Sequence, residues 1–333
     1  MNILVTGGAG YIGSHAVQRL LVDGHTVVVL DNLCRGHREA VPDGVPLVEA
    51  GLLDGEVIEQ TLRDHAIDAV MNFAALTYVG ESVEQPLSYY ENNVAGVLSL
   101  LQAMERAGVK TIVHSSTAAT YGEPTTMPIV EDTPQAPINP YGQSKLMVEH
   151  MLRDYAAAHD DFAFAILRYF NVAGSDPETR IGEDHDPETH IIPVLLQAAQ
   201  GKREKAYIFG DDYDTPDGTC IRDYVHVVDL VDAHAVVLAA LKPGDQRVYC
   251  LGIGNGMSVK EIVDAVKKVT GVNFTVEIAD RRPGDPPSLY ADPAKIKQEL
   301  GWSAKFTDTE TMVADAWRWF QRHPDGYAGR GAG

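Results

Sequence analysis

Leu4-Val5-Thr6-Gly7-Gly8-Ala9-Gly10-Tyr11-Ile12-Gly13 decides the fold of this chain. An apolar run at 3–5 ends in a cluster of glycines, and an amphipathic pattern over 12–22 begins at once. Strand, tight turn and helix in that order open a βαβ unit. Gly7, Gly10 and Gly13 recur every third position, a variant of the dinucleotide fingerprint. Glycine permits the sharp turn and lets backbone approach a pyrophosphate, while the helix start offers free N–H groups and a positive dipole end. Asp31 closes the second apolar run, 18 residues beyond Gly13. A carboxylate there accepts hydrogen bonds from an adenosine ribose and repels a 2′-phosphate, which favours NAD over NADP. Arg35 and Arg38 stand nearby and keep NADP in view.

Outward from that turn, short apolar runs alternate with helical patterns. Strands are expected at 3–5, 26–30, 46–48, 69–72, 111–114 and 164–167, with helices such as 12–22, 86–107 and 141–159 between them. Runs that are apolar throughout mean strands buried on both faces, hence a Rossmann-type, doubly wound parallel α/β sheet. Ligands on such sheets sit at the carboxyl ends of the strands, near the switch point. Beyond residue 172 the regularity falls. Polar loops at 174–189 and 210–219 separate helical patterns at 190–200, 227–241, 258–269 and 308–322. The expected division is an NAD-binding domain over 1–172 and a smaller mixed α/β substrate lobe over 173–333, with 223–250 a candidate to return to the first.

Composition excludes several classes. A net charge of -20 argues against nucleic-acid binding, which needs basic surface. An anionic substrate then requires a local cluster of arginines. Three cysteines without a CxxC pattern argue against a disulfide framework or a zinc site and suit a reducing cytoplasm. The chain starts directly on an apolar strand without the basic region of a signal peptide, and no apolar run reaches the ~20 residues of a membrane span.

Tyr141-Gly-Gln-Ser-Lys145 adds chemistry to the dinucleotide signal. Asn139-Pro140 is a helix start, with Asn at the N-cap and Pro at the first helical position. Tyr141 and Lys145 then share one face. A positive charge beside a phenol stabilises the phenolate and makes it a base. His114-Ser115-Ser116-Thr117 leaves the fifth expected strand at the ligand edge, where the Thr117 hydroxyl can share the reacting oxygen. Tyr141, Lys145 and Thr117 together describe a dehydrogenase-type site, in which a hydroxyl proton goes to Tyr141 as hydride leaves the carbon.

With these residues placed, the chain resembles the extended short-chain dehydrogenase/reductases, and among them the UDP-glucose 4-epimerases. The stretches that carry the resemblance are LVTGGAGYIGSH at 4–15, LDNLCRG at 30–36, VGESVEQPLSYYENNVAG at 79–96, PYGQSKLMVE at 140–149 and LRYFNVAG at 167–174. It continues through IFGDDYDTPDGTCIRDYVHVVDL at 208–230, RRPGDPPSLYAD at 281–292 and RHPDGY at 322–327. The resemblance implies interconversion of UDP-glucose and UDP-galactose. Hydride leaves C4 for bound NAD, the 4-keto sugar rotates, and hydride returns to its other face. It implies NAD contacts from Tyr11, Ile12, Asp31, Asn32, Leu52, Phe73, Ala74, Asn92, Ser115 and Phe170, besides the three glycines, Tyr141 and Lys145. UDP-sugar contacts are implied for Thr117, Tyr141, Asn171, His190, Ile191, Phe209, Arg222, Arg282, Asp285 and Leu289. Arg222 and Arg282 answer the acidic net charge, because a guanidinium forks onto diphosphate. A homodimer joined through 86–107 and 141–159 is implied as well.

The departures carry their own expectations. Thr117 stands where Ser is frequent and keeps the hydroxyl. Gly51 replaces an adenine-facing Asp, and Thr77 follows Ala75-Leu76 where a Lys is common, which implies looser retention of NAD. His190 replaces an Asn. Leu289 replaces a Tyr found in many bacterial members and leaves room for a 2-N-acetyl group, so UDP-GlcNAc and UDP-GalNAc are expected as further substrates. Glu183-Asp184-His185-Asp186 with His190 lacks the spacing of a metal site and reads as a polar loop, so no metal is expected. The rival reactions are 4,6-dehydration and decarboxylation of a nucleotide sugar. Relatives with that chemistry carry an acid where this chain has Ala118-Ala119. A rival of another class, a non-enzymatic NAD sensor, usually lacks the Tyr–Lys pair.

Overall fold

The computed structural model describes residues 1–282 and 286–327. Its first half runs β1 (Asn2–Thr6), α1 (Tyr11–Val22), β2 (Thr26–Asp31), β3 (Leu47–Glu49), α2 (Gly55–Asp64), β4 (Ala69–Asn72), α3 (Val79–Glu84), α4 (Pro86–Tyr89), a π-type turn (Tyr90–Ala95), α5 (Gly96–Ala107), β5 (Thr111–Thr117), α6 (Pro140–Ala158) and β6 (Ala163–Tyr169). There follow β7 (Asn171–Ala173), α7 (Ile191–Ala199), β8 (Lys205–Phe209), β9 (Ile221–Arg222), β10 (Tyr224–His226), α8 (Val227–Ala240), β11 (Gln246–Leu251), β12 (Met257–Ser258), α9 (Val259–Thr270), β13 (Thr275–Ala279), β14 (Ser288–Leu289), α10 (Ala294–Leu300) and α11 (Thr309–Arg322).

Seven strands form the main sheet in the order β11-β6-β5-β4-β1-β2-β3. β1 pairs parallel with both β2 and β4, so the strand order reverses about β1 and opens a switch point between the carboxyl ends of β1 and β4. Leu4, Val28, Val70 and Ile112 from the strands pack with Ile58, Leu100, Met104, Val148 and Leu152 from the helices in one apolar cluster. Burial on both faces is why these strands read as unbroken apolar runs.

Two differences from the expected elements have local causes. The expected helix 86–107 is interrupted by the π-type turn, where Asn93 turns inward. Its side chain accepts from the Leu76 N–H at 2.8 Å and donates to the Leu76 carbonyl at 2.9 Å. The apolar period does not register such a widened turn. β5 runs to Thr117 rather than stopping at 114, because each buried hydroxyl beyond that point finds a partner. Ser116 Oγ donates to Glu149 at 2.6 Å and Thr117 Oγ1 accepts from the Ala119 N–H at 3.1 Å.

The chain separates into two compact units. One comprises Met1–Gly122, Pro134–Arg168 and Val231–Tyr249; the other comprises Glu123–Thr133, Tyr169–Leu230 and Cys250–Gly333. In the second unit β7 lies parallel to β10 and β8 parallel to β13, and β9 is flanked by β12 and β14. Its buried polar groups are paired: Ser175 Oγ donates to the Asp315 carbonyl at 2.7 Å, and Trp319 Nε1 donates to the Glu183 carbonyl at 3.1 Å. Ser258 heads α9 in a capping box with Glu261.

Candidate active site

The glycine turn is packed too closely for side chains. Gly7 has φ +70, and a Cβ there would stand 2.6 Å from the Ala74 nitrogen. A Cβ on Gly13 would stand 2.0 Å from the Gly7 carbonyl oxygen. Gly10 caps α1 without a side-chain hydrogen bond, and no acidic residue lies in the first turn. The start of the helix is therefore open to an anion, as a pyrophosphate cradle requires. These features fit NAD.

The other expected cofactor residues of this unit lie along the same strand ends. Asp31 is buried at the end of β2; its carboxylate accepts from the Ala9 N–H at 3.0 Å and the Leu33 N–H at 2.8 Å. Burial raises its pKa, with those two bonds opposing. Asp31 thus holds the glycine turn. Asn32 Oδ1 accepts from the Cys34 N–H. Phe73 and Ala74 continue from β4, and the Phe73 ring meets His234 at a tilt of 40°, with 4.9 Å between centroids. Leu52 packs into the apolar cluster. Beside it Asp54 accepts from the Gly51 N–H at 2.8 Å, so a carboxylate stands against the position where the side chain is missing. Asn92 Nδ2 donates to Asn93 Oδ1. Phe170, by contrast, belongs to the second unit and links β6 to β7.

The residues expected to transfer the proton lie on β5 and α6. Asn139 caps α6 by accepting from the Gly142 N–H at 2.8 Å, with Pro140 in the first turn. Lys145 is buried and its Nζ donates to the Ser115 carbonyl at 2.8 Å. Burial pulls the Lys145 ammonium down to about 8, and Glu149 opposes that fall. Burial pushes the Tyr141 phenol up to about 12, while a hydrogen bond with Thr117 lowers it. The ammonium is thus tied to β5, and burial is the largest influence on the phenol. Tyr141 also meets Tyr89 edge-on at 6.4 Å. Sequence reading passed over Tyr89, His234, Glu149 and Arg168. Glu149 was visible as the next residue along the Tyr141–Lys145 face, and Arg168 as a charge inside an otherwise apolar strand.

In the second unit, Leu289 of β14 is in register with Arg222 of β9. Arg222 donates to the Ile221 carbonyl at 2.7 Å. The Arg282 guanidinium lies over the Phe209 ring at 3.9 Å. His190 and Ile191 stand at the start of α7, and Asn171 opens β7, its N–H donating to the Asp223 carbonyl at 3.1 Å. The Asp223 carboxylate is taken up by the Ile253 and Ala291 N–H groups. Asp285 lies outside the described residues.

The loop read from sequence as merely polar is more organised than expected. Donor atoms of Glu183, His185, Glu188 and His190 lie within 4.8 Å of one another. His190 Nδ1 is 3.0 Å from both Glu183 and Glu188, and His185 Nδ1 is 3.2 Å from Glu183. Burial opposes charge on His185 and His190, but the carboxylates outweigh it and push them up to about 9 and about 10. Protons on the imidazoles thus balance the two carboxylates. Both folded values lie above the unfolded 6.5, so the stabilisation is complete below pH 6.5 and is lost as pH rises through 9 to 10. The thermal midpoint of the wild type is expected to drop by an increment worth roughly 1 kcal/mol over that range, discounted for the exposure of His190. Glu188→Gln, followed by calorimetry, should lose that increment; an identical pH dependence in the variant refutes the account.

A glycine turn open to a pyrophosphate, an acid at the end of β2 and a Tyr–Lys–Thr set on β5 and α6 define a nicotinamide-dependent enzyme of the short-chain dehydrogenase/reductase type. Residues 3–252 match the family model of the NAD dependent epimerase/dehydratase family, and the chain belongs to that family. A UDP-glucose 4-epimerase of Halalkalibacterium halodurans is 51% identical, with 98% of each chain covered. A probable UDP-arabinose 4-epimerase of Oryza sativa is 49% identical over 98% of this chain and 84% of its own. Among solved structures, the UDP-glucose 4-epimerase of Bifidobacterium longum in complex with NAD+ and UDP matches with a TM-score of 0.94, 38% identity and coverage of 98% of this chain and 100% of its own.

Proposed function

We propose that this chain interconverts UDP-glucose and UDP-galactose as an NAD-dependent 4-epimerase. The observation that carries the reading is the set of Thr117, Tyr141 and Lys145 at the carboxyl end of β5, on the same sheet edge as the glycine turn. Gly7, Gly10, Gly13, Asp31, Phe73, Ala74, Ser115 and Lys145 hold NAD, which supplies the acceptor and donor of hydride at C4. Tyr141 takes the proton of the 4-hydroxyl and returns it after the 4-keto sugar has rotated. Thr117 holds the same oxygen, and Lys145 stabilises the charge left on the phenolate. Ala118 and Ala119 open a short turn after β5 and bring no acid for elimination, which counts against dehydration. Arg222 and Arg282, with Phe209 against the latter, are the diphosphate and uridine contacts; Asn171, His190 and Ile191 complete the set.

The test is incubation of the purified protein with UDP-galactose, without added NAD, followed by NMR of the anomeric protons. Appearance of UDP-glucose is the expected result; a 6-deoxy-4-keto product overturns the reading. The same assay with UDP-GlcNAc decides the substrate range. Leucine at 289 is expected to admit the N-acetyl group, and no conversion at millimolar substrate defeats that expectation.

A homodimer is supported by apolar side chains left exposed on the helices in question: Leu87 at 80%, Leu98 at 48% and Met147 at 38%. Sedimentation velocity of the wild type should give twice the monomer mass, and Leu98→Glu should halve it. Three cysteines, an odd number without a CxxC pattern, support a reducing, cytoplasmic setting that cell fractionation can check. No helix among the described residues is long and apolar enough to cross a membrane.

A further inference from the structure

α6 presents a third residue along the catalytic face. Tyr141, Lys145 and Glu149 follow at intervals of four, and three consecutive residues of β5 receive them. Thr117 bonds Tyr141, the Ser115 carbonyl takes Lys145 Nζ at 2.8 Å, and Ser116 Oγ donates to Glu149 Oε1 at 2.6 Å. Glu149 is fully buried. Arg168 of β6, 2% exposed, grips it with a fork: Nε to Oε1 at 2.9 Å and a terminal nitrogen to Oε2 at 2.6 Å. The other arm of that guanidinium donates to the Tyr121 hydroxyl at 2.7 Å. Gln135 and Arg153 each reach Glu149 Oε2 at 3.2 Å. A buried ion pair is rarely favoured over apolar packing for stability alone, so its presence beside the reacting groups asks for another role.

We propose that Glu149 and Arg168 are a positioning pair: they fix the rotation of α6 so that Tyr141 and Lys145 meet β5 in register, and they place the negative charge that keeps Lys145 an ammonium. The proposal rests on the reading of Tyr141 and Lys145 as the proton-transfer pair. The surroundings of Lys145 isolate that charge. His114 of β5 faces it, but burial, the Lys145 charge and His234 of α8 hold His114 well below its ordinary pKa and so neutral. Tyr141 is protonated over the same range, and Tyr89 lies beyond it. Arg168 and Arg153 contact Glu149 itself. Glu149, one turn along α6, raises Lys145 against the desolvation that lowers it.

Removing one partner strands a buried charge, so the informative variant removes both: Glu149→Gln with Arg168→Met. Its folding is checked by circular dichroism and its bound NAD by acid release. Lysine labelled with ¹³C at Cε reports the Lys145 titration, assigned by its loss in Lys145→Arg. The midpoint is expected to fall by less than about one pH unit, because the positive charge of Arg168 leaves together with the carboxylate. kcat on UDP-galactose is expected to fall about tenfold at pH 8, its alkaline limb moving with the lysine, while KM stays within about threefold. Ser116→Ala tests the register separately, because it keeps the charge and deletes one bond between strand and helix. There kcat should fall several-fold with the Lys145 midpoint unchanged. An unmoved midpoint and unmoved kcat in the folded double variant overturn the charge role, and normal kcat in Ser116→Ala overturns the register role. A wild type that converts no UDP-hexose sinks the epimerase reading instead, and the lysine titration still decides the pair.

Discussion

Tyr141→Phe is expected to lower epimerisation of UDP-galactose by about 10³-fold, within the range for loss of a general acid–base. The substitution deletes one oxygen and leaves the ring that meets Tyr89 edge-on. Helix α6 keeps its Asn139 cap and its Lys145 bond to Ser115, so fold and NAD content should stay at wild-type levels. The demand on that oxygen is larger than its residue type suggests. Burial puts the phenol at about 12, so working near pH 7 needs about 7 kcal/mol of differential stabilisation at 1.36 kcal/mol per unit. Thr117, Lys145 and the positive nicotinamide ring must supply it together, and none acts if the phenol oxygen is gone. Turnover and NAD content per subunit, measured on one preparation, check the prediction. A near-normal rate rejects Tyr141 as the base, and lost NAD shows that the residue acts through cofactor binding.

Gly13→Ala is expected to remove most of the bound NAD and with it most of the activity. The added methyl would meet the Gly7 carbonyl oxygen at 2.0 Å, against backbone that is itself held close to Ala74. A flexible side chain could swing aside, but a carbonyl in a turn of fixed φ cannot. The turn must open, and α1 moves away from the strand whose end it caps. Overpacking of this kind costs about 1–3 kcal/mol, and the pyrophosphate cradle is the structure that yields. Gly24→Ala is the control. Gly24, unlike Gly13, has positive φ, +81, and nothing lies within 4 Å of its added Cβ. It should lose about 1 kcal/mol of stability and keep its NAD. Cofactor release and the thermal midpoint, compared across the two variants, separate crowding from strain. Equal NAD content in both refutes the argument.

Much of the candidate site is legible in the sequence because its signals are local. The turn at Gly7–Gly13, the Asn139-Pro140 helix start and the four-residue spacing of Tyr141 and Lys145 depend on neighbours a few residues away. Other features failed to show for equally physical reasons. Asn93 faces inward because a π-type turn breaks the helical period. β11 joins the sheet beside β6 after an excursion of the chain through the second unit, and no periodicity encodes which strand it will meet. Glu183, His185, Glu188 and His190 looked like an ordinary acidic loop, since spacing does not reveal how a loop folds back on itself.

The sequence by itself determined the doubly wound sheet, the glycine turn that opens α1 and the shared helix face of Tyr141 and Lys145. Backbone freedom at glycine, capping and side-chain period act within one or two turns of chain, so composition and spacing are enough to state them. Tertiary structure alone decided the charge states and the partners. It tied Lys145 to Ser115, pushed Tyr141 up to about 12, and set Arg168 against Glu149 across 19 residues. Those outcomes turn on desolvation and on which strands lie side by side, and both come into being only when the chain is packed.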